Sequence, residues 1–336
     1  MMMIAQELAR GAFNEVNFSF APNLILGVAV ELEIFPMMMQ GGLTVSQIAA
    51  KSQCSEKGTQ RILDCLAAMG CLDKNDERYE LNTVARRYFL PSSEDYAGHL
   101  FAGCAQLLKY WLTLPQAVRD GTPTLCLFSD QENATYNLET VEALYQFHKK
   151  SAWELARILP HPVAPARILD VAAGSAVWSL PFAVRFPRVE VTAVDLAAVS
   201  AIGRKFARRL GVEARYHFVS GDIRALDFGE GDYDLAILGH ICHSEGRQHS
   251  RDLIDKCFRA LHQNGRLLIT DYLPDDKRKT DLLALVLSVN ALLGSEEGDT
   301  FTLAEYTNWL MEAGFKTVET LPLEGHYPCI VALKEQ

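Results

Sequence analysis

The sequence has no excess of positive charge. It carries 32 Lys and Arg residues against 42 Asp and Glu residues, which gives a formal net charge of −10. Neutralising the phosphates of a nucleic acid or an anionic membrane requires clustered Lys and Arg, and this chain concentrates them nowhere. We therefore expect neither a nucleic acid nor a membrane as a partner, and we expect small neutral or mildly charged ligands instead.

A long hydrophobic run is also missing. The most apolar stretch, from Leu282 to Leu293, is interrupted by Ser288 and Asn290. It falls short of the roughly 20 residues that a membrane-spanning helix needs. The first residues lack the basic flank and long apolar core of a signal peptide. These absences predict a cytoplasmic protein.

The cysteines lack the Cys-x-x-Cys spacing of a metal or redox motif. The eight are Cys54, Cys65, Cys71, Cys104, Cys126, Cys242, Cys257 and Cys329. Because most of them lie within apolar segments, we expect buried, reduced thiols and no cysteine-based metal site.

The most informative segment is residues 166–176, which read ARILDVAAGSA. An apolar strand ends at Asp170 and opens into a turn of small residues around Gly174. With only small residues such as Ala172 and Ala176 beside it, the backbone can turn tightly under a bulky ligand. This loop is therefore predicted to approach a ligand closely.

Three further apolar runs follow, beginning at Val189, Tyr216 and Tyr233. The first ends on Asp195, where a carboxylate can accept both hydroxyls of a ribose. The second leads to Asp222, where a carboxylate and the next apolar residue would bracket an adenine. Because the carboxyl ends of parallel strands meet at one edge of a sheet, the four runs together predict a nucleoside site.

A Rossmann-type dehydrogenase or a purely structural α/β domain is the alternative. The full Gly-x-Gly-x-x-Gly fingerprint is missing, and no phosphate cradle is evident. A cofactor without phosphate, such as S-adenosylmethionine, needs only a looser loop.

The first hundred residues are predicted to be helical with one short β wing. Thr44 and Ser55 are positioned to cap two helices, and a pattern of strand, polar turn and strand follows. The candidate recognition helix offers only Lys57 and Arg61 as cations, too few for a DNA-reading surface. We therefore predict dimerisation, with apolar helices between Ile4 and Ile34 packing against a second subunit.

The winged-helix start, the loop after Asp170 and the segment ending at His243 resemble the two-domain small-molecule O-methyltransferases of class I. These include plant caffeate-type enzymes and bacterial polyketide and phenazine tailoring enzymes. The resemblance runs from about Leu24 to Leu333. It implies a winged-helix-like dimerisation domain over residues 1–105 and a catalytic domain over residues 106–336. The catalytic domain would be α/β and Rossmann-like, with a mostly parallel seven-stranded sheet.

The resemblance also implies S-adenosylmethionine as cofactor, S-adenosylhomocysteine as product, and a homodimer. Ala172 and Ala176 stand where relatives have glycine. That replacement is harmless if the backbone keeps a negative φ, and otherwise it weakens cofactor affinity. The implied cofactor contacts are Asp170, Ala172, Gly174, Asp195, Leu196, Gly221, Asp222, Ile223 and Gly239.

His243 falls on the position of the family's general base, which relatives carry in a His-Asp-Trp motif. Ser244 and Glu245 replace the Asp and the Trp. A histidine suits removal of a proton from a phenol near neutral pH, since its ordinary pKa is about 6.5. Its orientation requires a partner, for which Glu245 and the later acidic pair Glu296 and Glu297 are candidates.

Two other kinds of chemistry stay open. His240, His243 and Glu245 have the spacing of a metal cluster, which would suit metal-assisted C-methylation. A non-catalytic S-adenosylmethionine-binding regulator is the other alternative. We predict O-methylation of a small aromatic or polyketide-like acceptor, without a metal. The predicted acceptor-pocket residues are His240, Asn290, Trp111 and Phe147.

Overall fold

The computed structural model describes residues 10–11, 13–124, 131–160, 165–325 and 327–335. The chain divides into two compact units, Met1–Lys109 and Tyr110–Gln336. Cys126 lies outside the described residues, as do residues 4–9 and 12 of the predicted N-terminal helical segment. In the described part of the chain, no helix is both long and apolar enough to cross a bilayer.

The first unit consists of short helices and a small sheet. Its elements are α1 (Phe13–Asn17), α2 (Ala21–Glu31), α3 (Ile34–Met37), β1 (Leu43–Thr44), α4 (Val45–Ser52), α5 (Glu56–Ala68), β2 (Asp73–Asn75), β3 (Arg78–Glu80), α6 (Thr83–Tyr88) and α7 (Gly98–Ala102). β2 and β3 pair antiparallel around a turn in which Asp76 has a φ of 53°. The expected β wing is therefore present, and β1 pairs with the other side of β3.

Side-chain caps begin the two helices before the wing. The Thr44 hydroxyl accepts a hydrogen bond from the Gln47 amide at 3.4 Å, and the Gln47 side chain accepts one from the Thr44 amide at 3.0 Å. The Ser55 hydroxyl caps α5 by accepting a hydrogen bond from the Gly58 amide at 3.1 Å, as its sequence position predicts. Tyr79 of the wing is fully buried and donates to Asp64 of α5 at 2.6 Å, which ties the wing to that helix.

The second unit is built on one sheet. The elements from the end of the first unit onward are α8 (Cys104–Trp111), α9 (Leu114–Asp120), α10 (Gln131–Ile158), β4 (Arg167–Val171), α11 (Leu180–Arg185), β5 (Glu190–Asp195), α12 (Ala197–Arg209), β6 (Tyr216–Ser220), β7 (Tyr233–Gly239), α13 (Cys242–Ala260), β8 (Leu261–Thr270), α14 (Leu282–Gly294), α15 (Leu303–Ala313), β9 (Thr317–Leu321) and β10 (Cys329–Leu333), with a 3₁₀ turn at Glu213–Arg215. Apolar clusters cover both faces of the sheet, which explains the nearly continuous apolar strand sequences.

The strand order is β6-β5-β4-β7-β8-β10-β9. The first five strands of that order are parallel, whereas β10 pairs antiparallel with both β8 and β9. The direction of strand addition reverses between β4 and β7, and ligands of such sheets bind at the carboxyl edge beside that point. The predicted α/β fold with a mostly parallel seven-stranded sheet is confirmed.

α15 supports this edge from one side. Thr302 and Glu305 form a capping box at its start, and Gly314, with a φ of 109°, ends it. Its buried face carries Tyr306 and Trp309. The helix therefore holds a tyrosine against the sheet close to the end of β8.

The expectation of buried thiols is wrong for Cys65. Four of the described cysteines are buried, but Cys65 is exposed on α5. Leu63 and Leu66 form the buried face of that helix, and Cys65 is turned away from it because consecutive helical residues point in different directions.

Candidate functional site

The loop after β4 turns through three residues with positive φ. The values are 53° at Ala172, 58° at Gly174 and 58° at Ala176. An L-residue with a side chain in this region is strained by about 1 to 2 kcal/mol, whereas glycine is not. The condition for a harmless replacement of glycine by alanine is therefore not met at either alanine.

Asp195, at the end of β5, holds this loop through a hydrogen bond to its backbone. Its Oδ2 accepts a hydrogen bond from the Gly174 amide at 2.7 Å, and its Oδ1 accepts one from the Leu196 amide at 2.7 Å. Burial raises the pKa of Asp195, and the two amides oppose that shift. The carboxylate is fixed in orientation while each oxygen keeps a lone pair for a ribose hydroxyl. Leu196 is 45% exposed and offers apolar surface beside it.

Asp170 lies beneath the loop and is only 2% exposed. The Ser179 hydroxyl donates to its carboxylate, and the Tyr216 hydroxyl lies 3.1 Å from Ser179 Oγ. Burial raises the pKa of Asp170 to about 7, with a further contribution from the charge of Asp195 and an opposing one from Ser179. In this geometry Asp170 supports the loop from within the core.

The loop after β6 continues the same edge. The Gly221 amide donates to the Asp195 carbonyl at 3.0 Å, which brings the two strand ends together. The Asp222 carboxylate accepts a hydrogen bond from the Arg224 amide at 2.8 Å, and Ile223 is 9% exposed. The Asp222 carboxylate and the Ile223 side chain therefore come next along the sheet edge after Asp195, the candidate ribose-binding residue.

Aromatic and imidazole rings pack at the end of β7. A Cβ at Gly239 would clash with the Trp178 ring, so the indole lies directly against this glycine. His240, with a φ of 56°, stacks on His148 of α10 at a centroid distance of 4.1 Å. The Tyr272 ring lies 4.7 Å from His240 on another side. Together these rings pack closely against one another and form a ring wall at the sheet edge, with the Tyr272 ring tilted by 57° to that of His240.

His243 and Asp271 form the central pair of the site. His243 lies in the first turn of α13, and Asp271 directly follows β8. The His243 Nδ1 is 2.8 Å from Asp271 Oδ1, and the His243 amide donates to Oδ2 at 3.1 Å. The Tyr306 hydroxyl and the Tyr272 amide also donate to this carboxylate, at 3.0 and 2.8 Å. The Asp271 side chain is 1% exposed and the His243 side chain 20%, so the imidazole is the accessible end of the pair.

Opposing effects set the pKa of His243. Burial lowers the pKa because the imidazolium loses water, but the charge of Asp271 and its hydrogen bond outweigh this effect and raise the pKa above its ordinary value. When Nδ1 donates its proton to Asp271, the neutral ring carries its lone pair on Nε2. The pair therefore has the arrangement of a general base and its orienting carboxylate.

The partner of His243 is not among the residues that the sequence suggested. Glu245 instead accepts a hydrogen bond from Arg224 at 2.6 Å. In the described residues, neither member of the Glu296–Glu297 pair hydrogen-bonds to His243. Asp271 was missed, although a signal existed, since it follows a fifth parallel strand and the ends of such strands share one edge.

His240, His243 and Asp271 have ligating atoms within 4.8 Å of one another. This set replaces the one inferred from spacing, because Glu245 is engaged elsewhere. The 2.8 Å separation in the His243–Asp271 pair is that of a hydrogen bond, and His240 Nδ1 lies farther off, 3.8 Å from the Asp271 carboxylate. A shared proton accounts for this geometry without a metal ion.

The predicted acceptor-pocket residues are brought together only in part. His240 lies in the ring wall, but Phe147 is 62% exposed. The next residue of α10, His148, is buried and stacks on His240, a contact that sequence reasoning missed. Which of two adjacent helical residues faces inward depends on the rotation of α10, which its mixed pattern leaves ambiguous.

The other two pocket candidates lie on separate helices. Trp111 ends α8 and Asn290 lies on α14, and both are half-buried. Within the part of the chain that the structure describes, neither hydrogen-bonds to the His243–Asp271 pair. Their assignment to the acceptor pocket stays a prediction.

The donors and acceptors of the edge fit a nucleoside cofactor without phosphates. The loop at residues 172–177 lacks the Gly-x-Gly-x-x-Gly pattern with which dinucleotide sites bring their backbone amides to a pyrophosphate. The carboxylates of Asp195 and Asp222 suit ribose hydroxyls and a cationic ligand. The donor set therefore fits S-adenosylmethionine better than a dinucleotide.

Comparison with known proteins points to the same chemistry. A family model described as an O-methyltransferase domain matches residues 111–316, and one described as an O-methyltransferase dimerisation domain matches residues 15–91. The chain belongs to the O-methyltransferase family. Its methyl donor is S-adenosylmethionine.

Named relatives of this methyltransferase extend over most of its length. It is 28% identical to a 3-hydroxy-5-methyl-1-naphthoate 3-O-methyltransferase of Streptomyces sahachiroi, over 88% of this chain and 86% of the relative. It is 26% identical to a tetracenomycin polyketide synthesis 8-O-methyl transferase of Streptomyces glaucescens, over 94% of both chains. The human N-acetylserotonin methyltransferase, solved with S-adenosylmethionine, has the same fold, with a TM-score of 0.83, 20% identity and 98% of each chain covered.

The left-handed alanines of the cofactor loop generate a prediction. Ala172→Gly should raise the free energy of unfolding, or leave it unchanged, because relief of about 1 to 2 kcal/mol of backbone strain offsets the larger chain entropy of glycine. It should also tighten binding of S-adenosylhomocysteine. Urea denaturation and calorimetric titration of the methyltransferase measure the two effects.

Ala173→Gly is the matched control. Ala173 is half-buried like Ala172 but is not among the described residues with positive φ. This substitution should lower the free energy of unfolding by about 0.5 to 1 kcal/mol. Equal destabilisation by both substitutions would contradict the assignment of strain to Ala172.

Proposed function

We propose that this methyltransferase transfers a methyl group to a hydroxyl of a small aromatic or polyketide-like molecule, with His243 as the general base. The observation that carries the proposal is the 2.8 Å contact between His243 Nδ1 and Asp271 Oδ1 at the edge where the cofactor strands end. The two Streptomyces relatives, named for a hydroxynaphthoate and a polyketide, support an aromatic acceptor.

The cofactor would be held by residues at the carboxyl ends of β4, β5, β6 and β7. Asp195 is assigned to the ribose, Asp222 and Ile223 to the adenine, and the backbone of residues 172–176 to the rest of the molecule. Bound S-adenosylmethionine supplies an electrophilic methyl group on a sulfonium. The full proposed set is Asp170, from beneath the loop, with Ala172, Gly174, Asp195, Leu196, Gly221, Asp222, Ile223 and Gly239.

His243 would take the proton of the acceptor hydroxyl as its oxygen becomes the nucleophile. Asp271 keeps Nδ1 protonated, so Nε2 is the accepting atom. The imidazolium that forms is stabilised by the Asp271 charge, as the raised pKa of His243 indicates. Three further donors hold the carboxylate, namely the amides of His243 and Tyr272 and the Tyr306 hydroxyl, so its orientation is fixed before the acceptor binds.

The ring wall supports an aromatic acceptor. The half-buried Tyr272 ring lies 4.7 Å from the His240 ring and 5.5 Å from the His243 ring, and the buried Trp178 ring packs against His240 at 5.9 Å. A planar acceptor gains offset-stacked or edge contacts with such rings, which orient it as well as bind it. Holding its hydroxyl close to the base and the methyl donor supplies much of the rate acceleration.

The two alternative functions lack support. The family model and the Streptomyces relatives are all named for O-methylation, which argues against metal-assisted C-methylation and against a non-catalytic regulator. The loss of the Asp and Trp after His243 does not disable the base, because Asp271 supplies the orienting carboxylate.

Cofactor binding can be tested without knowing the acceptor. Calorimetric titration should show binding of S-adenosylhomocysteine to the wild type, and Asp195→Ala should weaken it by at least about tenfold, the worth of a hydrogen bond to a charged group. Asp232→Ala is the control, because the Asp232 side chain forms an exposed ion pair with Arg167 at the amino end of β7, away from the edge that carries the site. A wild type that does not bind S-adenosylhomocysteine would overturn the proposed function.

The base can be tested by the pH dependence of kcat. A base acts deprotonated, so wild-type kcat should rise with pH through a midpoint above about 6.5, the ordinary histidine value. His243→Asn should lower kcat by about 10² to 10⁴. Asp271→Asn should also lower it and should move the midpoint to lower pH, because burial still lowers the His243 pKa when the charge is gone.

Both variants should retain their affinity for S-adenosylhomocysteine, which shows that they are folded. Treatment of the wild type with a chelator should leave kcat unchanged. Wild-type turnover in His243→Asn would remove the histidine from the mechanism, and loss of activity with the chelator would favour the metal alternative.

We also propose that the enzyme is a homodimer formed through its first unit. The dimerisation model covers residues 15–91, and Phe18 and Phe20 in this region are 58% and 47% exposed in the single chain. Exposed aromatic side chains so close together suit an interface. Sedimentation velocity should give a dimer mass for the wild type, a monomer mass for Phe18→Asp/Phe20→Asp, and a dimer mass for the control Met311→Asp. A monomeric wild type at micromolar concentration would contradict this proposal.

A further inference from the structure

The loop Asp222–Leu226, on the adenine side of the proposed site, is attached to α13. Lys256 of that helix donates hydrogen bonds to three loop carbonyls, those of Ile223, Arg224 and Leu226, at 3.0, 2.6 and 3.0 Å. All three donors of the ammonium are thereby used on one short loop. The backbone of the loop therefore follows the position of α13.

A second attachment joins the loop to the start of α13. Arg224 Nε donates to Glu245 Oε2 at 2.6 Å, and the Glu245 side chain is only 12% exposed. Asp222 and Glu297 add smaller favourable charge interactions with Arg224. Because Glu245 is largely excluded from water, this ion pair is less screened than a surface pair. Glu245 lies two residues from His243, in the same turn.

Gly246 separates that turn from the rest of α13. Its φ of 79° and ψ of 177° are not helical, so the segment Cys242–Glu245 is a short turn of its own. A Cβ on Gly246 would clash with Glu297, which shows how closely another loop passes here. The helix after Gly246 holds this turn through two side-chain contacts, the Ser250 hydroxyl donating to the Cys242 carbonyl at 3.0 Å and His249 Nδ1 lying 3.2 Å from the Glu245 carbonyl. Because the regular backbone hydrogen bonding of the helix is broken at Gly246, contacts from other elements also help to place His243.

Contacts from other elements reach the turn Cys242–Glu245 from the side of α14 and β8 and from the adenine side. The loop after α14 holds the turn through the Asp299 amide, which donates to the His243 carbonyl at 3.0 Å, and through the Ser295 hydroxyl, which donates to the Ser244 carbonyl at 2.8 Å. Asp271 holds the imidazole. The Arg224–Glu245 pair is the contact that reaches this turn from the adenine side.

We propose that Arg224, Glu245 and Lys256 are positioning residues that link the adenine loop to the turn carrying His243. When the bound cofactor orders this loop, the loop in turn holds the His243 imidazole in place. This inference rests on the proposed function. Lys256 attaches the loop to α13 beyond Gly246, and Arg224 attaches it to the turn before Gly246. The loop thus connects the two parts of α13 that lie on either side of Gly246.

The proposal makes cofactor affinity and turnover depend on the same ion pair. Removing the Arg224 side chain leaves the loop attached through Lys256 alone, so the cofactor must order more of it, and leaves the turn without its contact on the adenine side, so that Nε2 of His243 is placed less well. A contact that served stability alone would lower the melting temperature without changing kcat at saturating S-adenosylmethionine. The two roles are therefore distinguishable.

The test uses Arg224→Met, Glu245→Gln and the double variant in the full-length enzyme. The probes are S-adenosylhomocysteine for affinity and a hydroxynaphthoate that the wild type methylates for kcat. Each single variant should raise the Kd for S-adenosylhomocysteine and lower kcat at saturating S-adenosylmethionine by about three- to tenfold. The double variant should be no worse than Arg224→Met alone, because both substitutions remove one interaction.

Arg251→Met is the matched control. Arg251 also lies on α13 and pairs with Glu312 at 2.8 Å, but both side chains are well exposed and the pair joins α13 to α15 rather than to the adenine loop. This variant should keep the wild-type Kd and kcat, and Arg224→Lys should recover much of what Arg224→Met loses.

The two proposals fail separately. If the wild type does not bind S-adenosylhomocysteine, the proposed function is wrong. If the wild type binds S-adenosylhomocysteine but Arg224→Met has the wild-type Kd and kcat, the proposed function stands and the positioning role is overturned. Additive losses in the double variant would likewise contradict a shared interaction.

Discussion

The buried carboxylate of Asp271 is the constraint on which the site depends. It is 1% exposed and accepts hydrogen bonds from the His243 amide and Nδ1, the Tyr272 amide and the Tyr306 hydroxyl. A buried charge is tolerated only when it is satisfied in this way, because loss of a partner leaves it without water or protein. The requirement brings β8, α13 and α15 to one point, so the core of the protein places the imidazole of His243.

The same reasoning explains how cofactor and base come to share one edge. Parallel strands end together, and β4, β5, β6, β7 and β8 each end on residues that the site uses. Asp195 has two roles in this arrangement, because its carboxylate accepts a hydrogen bond from the Gly174 amide and keeps lone pairs for a ligand. An acidic residue binds the ribose in dinucleotide sites as well, so what separates this site from them is the missing Gly-x-Gly-x-x-Gly pattern after β4.

Much of this follows from the sequence, because strand ends and helix caps are local signals. The four apolar runs, Asp195 and the cap at Thr44 need only spacing and residue type. The rest depends on long-range geometry. Neither the pairing of Arg224 with Glu245 nor the inward rotation of His148 can be read from neighbours along the chain. The positive φ of Ala172 is hidden for another reason, since alanine does not signal a left-handed backbone as glycine does.

The replacement of Asp and Trp by Ser244 and Glu245 has a specific physical meaning. The imidazole of His243 is oriented by a carboxylate from the sheet, and it therefore does not need an acid beside it in the chain. Glu245 instead accepts a hydrogen bond from the guanidinium of Arg224, which lies toward the proposed adenine side. With Gly246 breaking the helix just beyond, the turn depends on such contacts for its position. The departure from the family motif therefore leaves the His243–Asp271 contact intact, and Glu245 connects the His243 turn to the loop after β6.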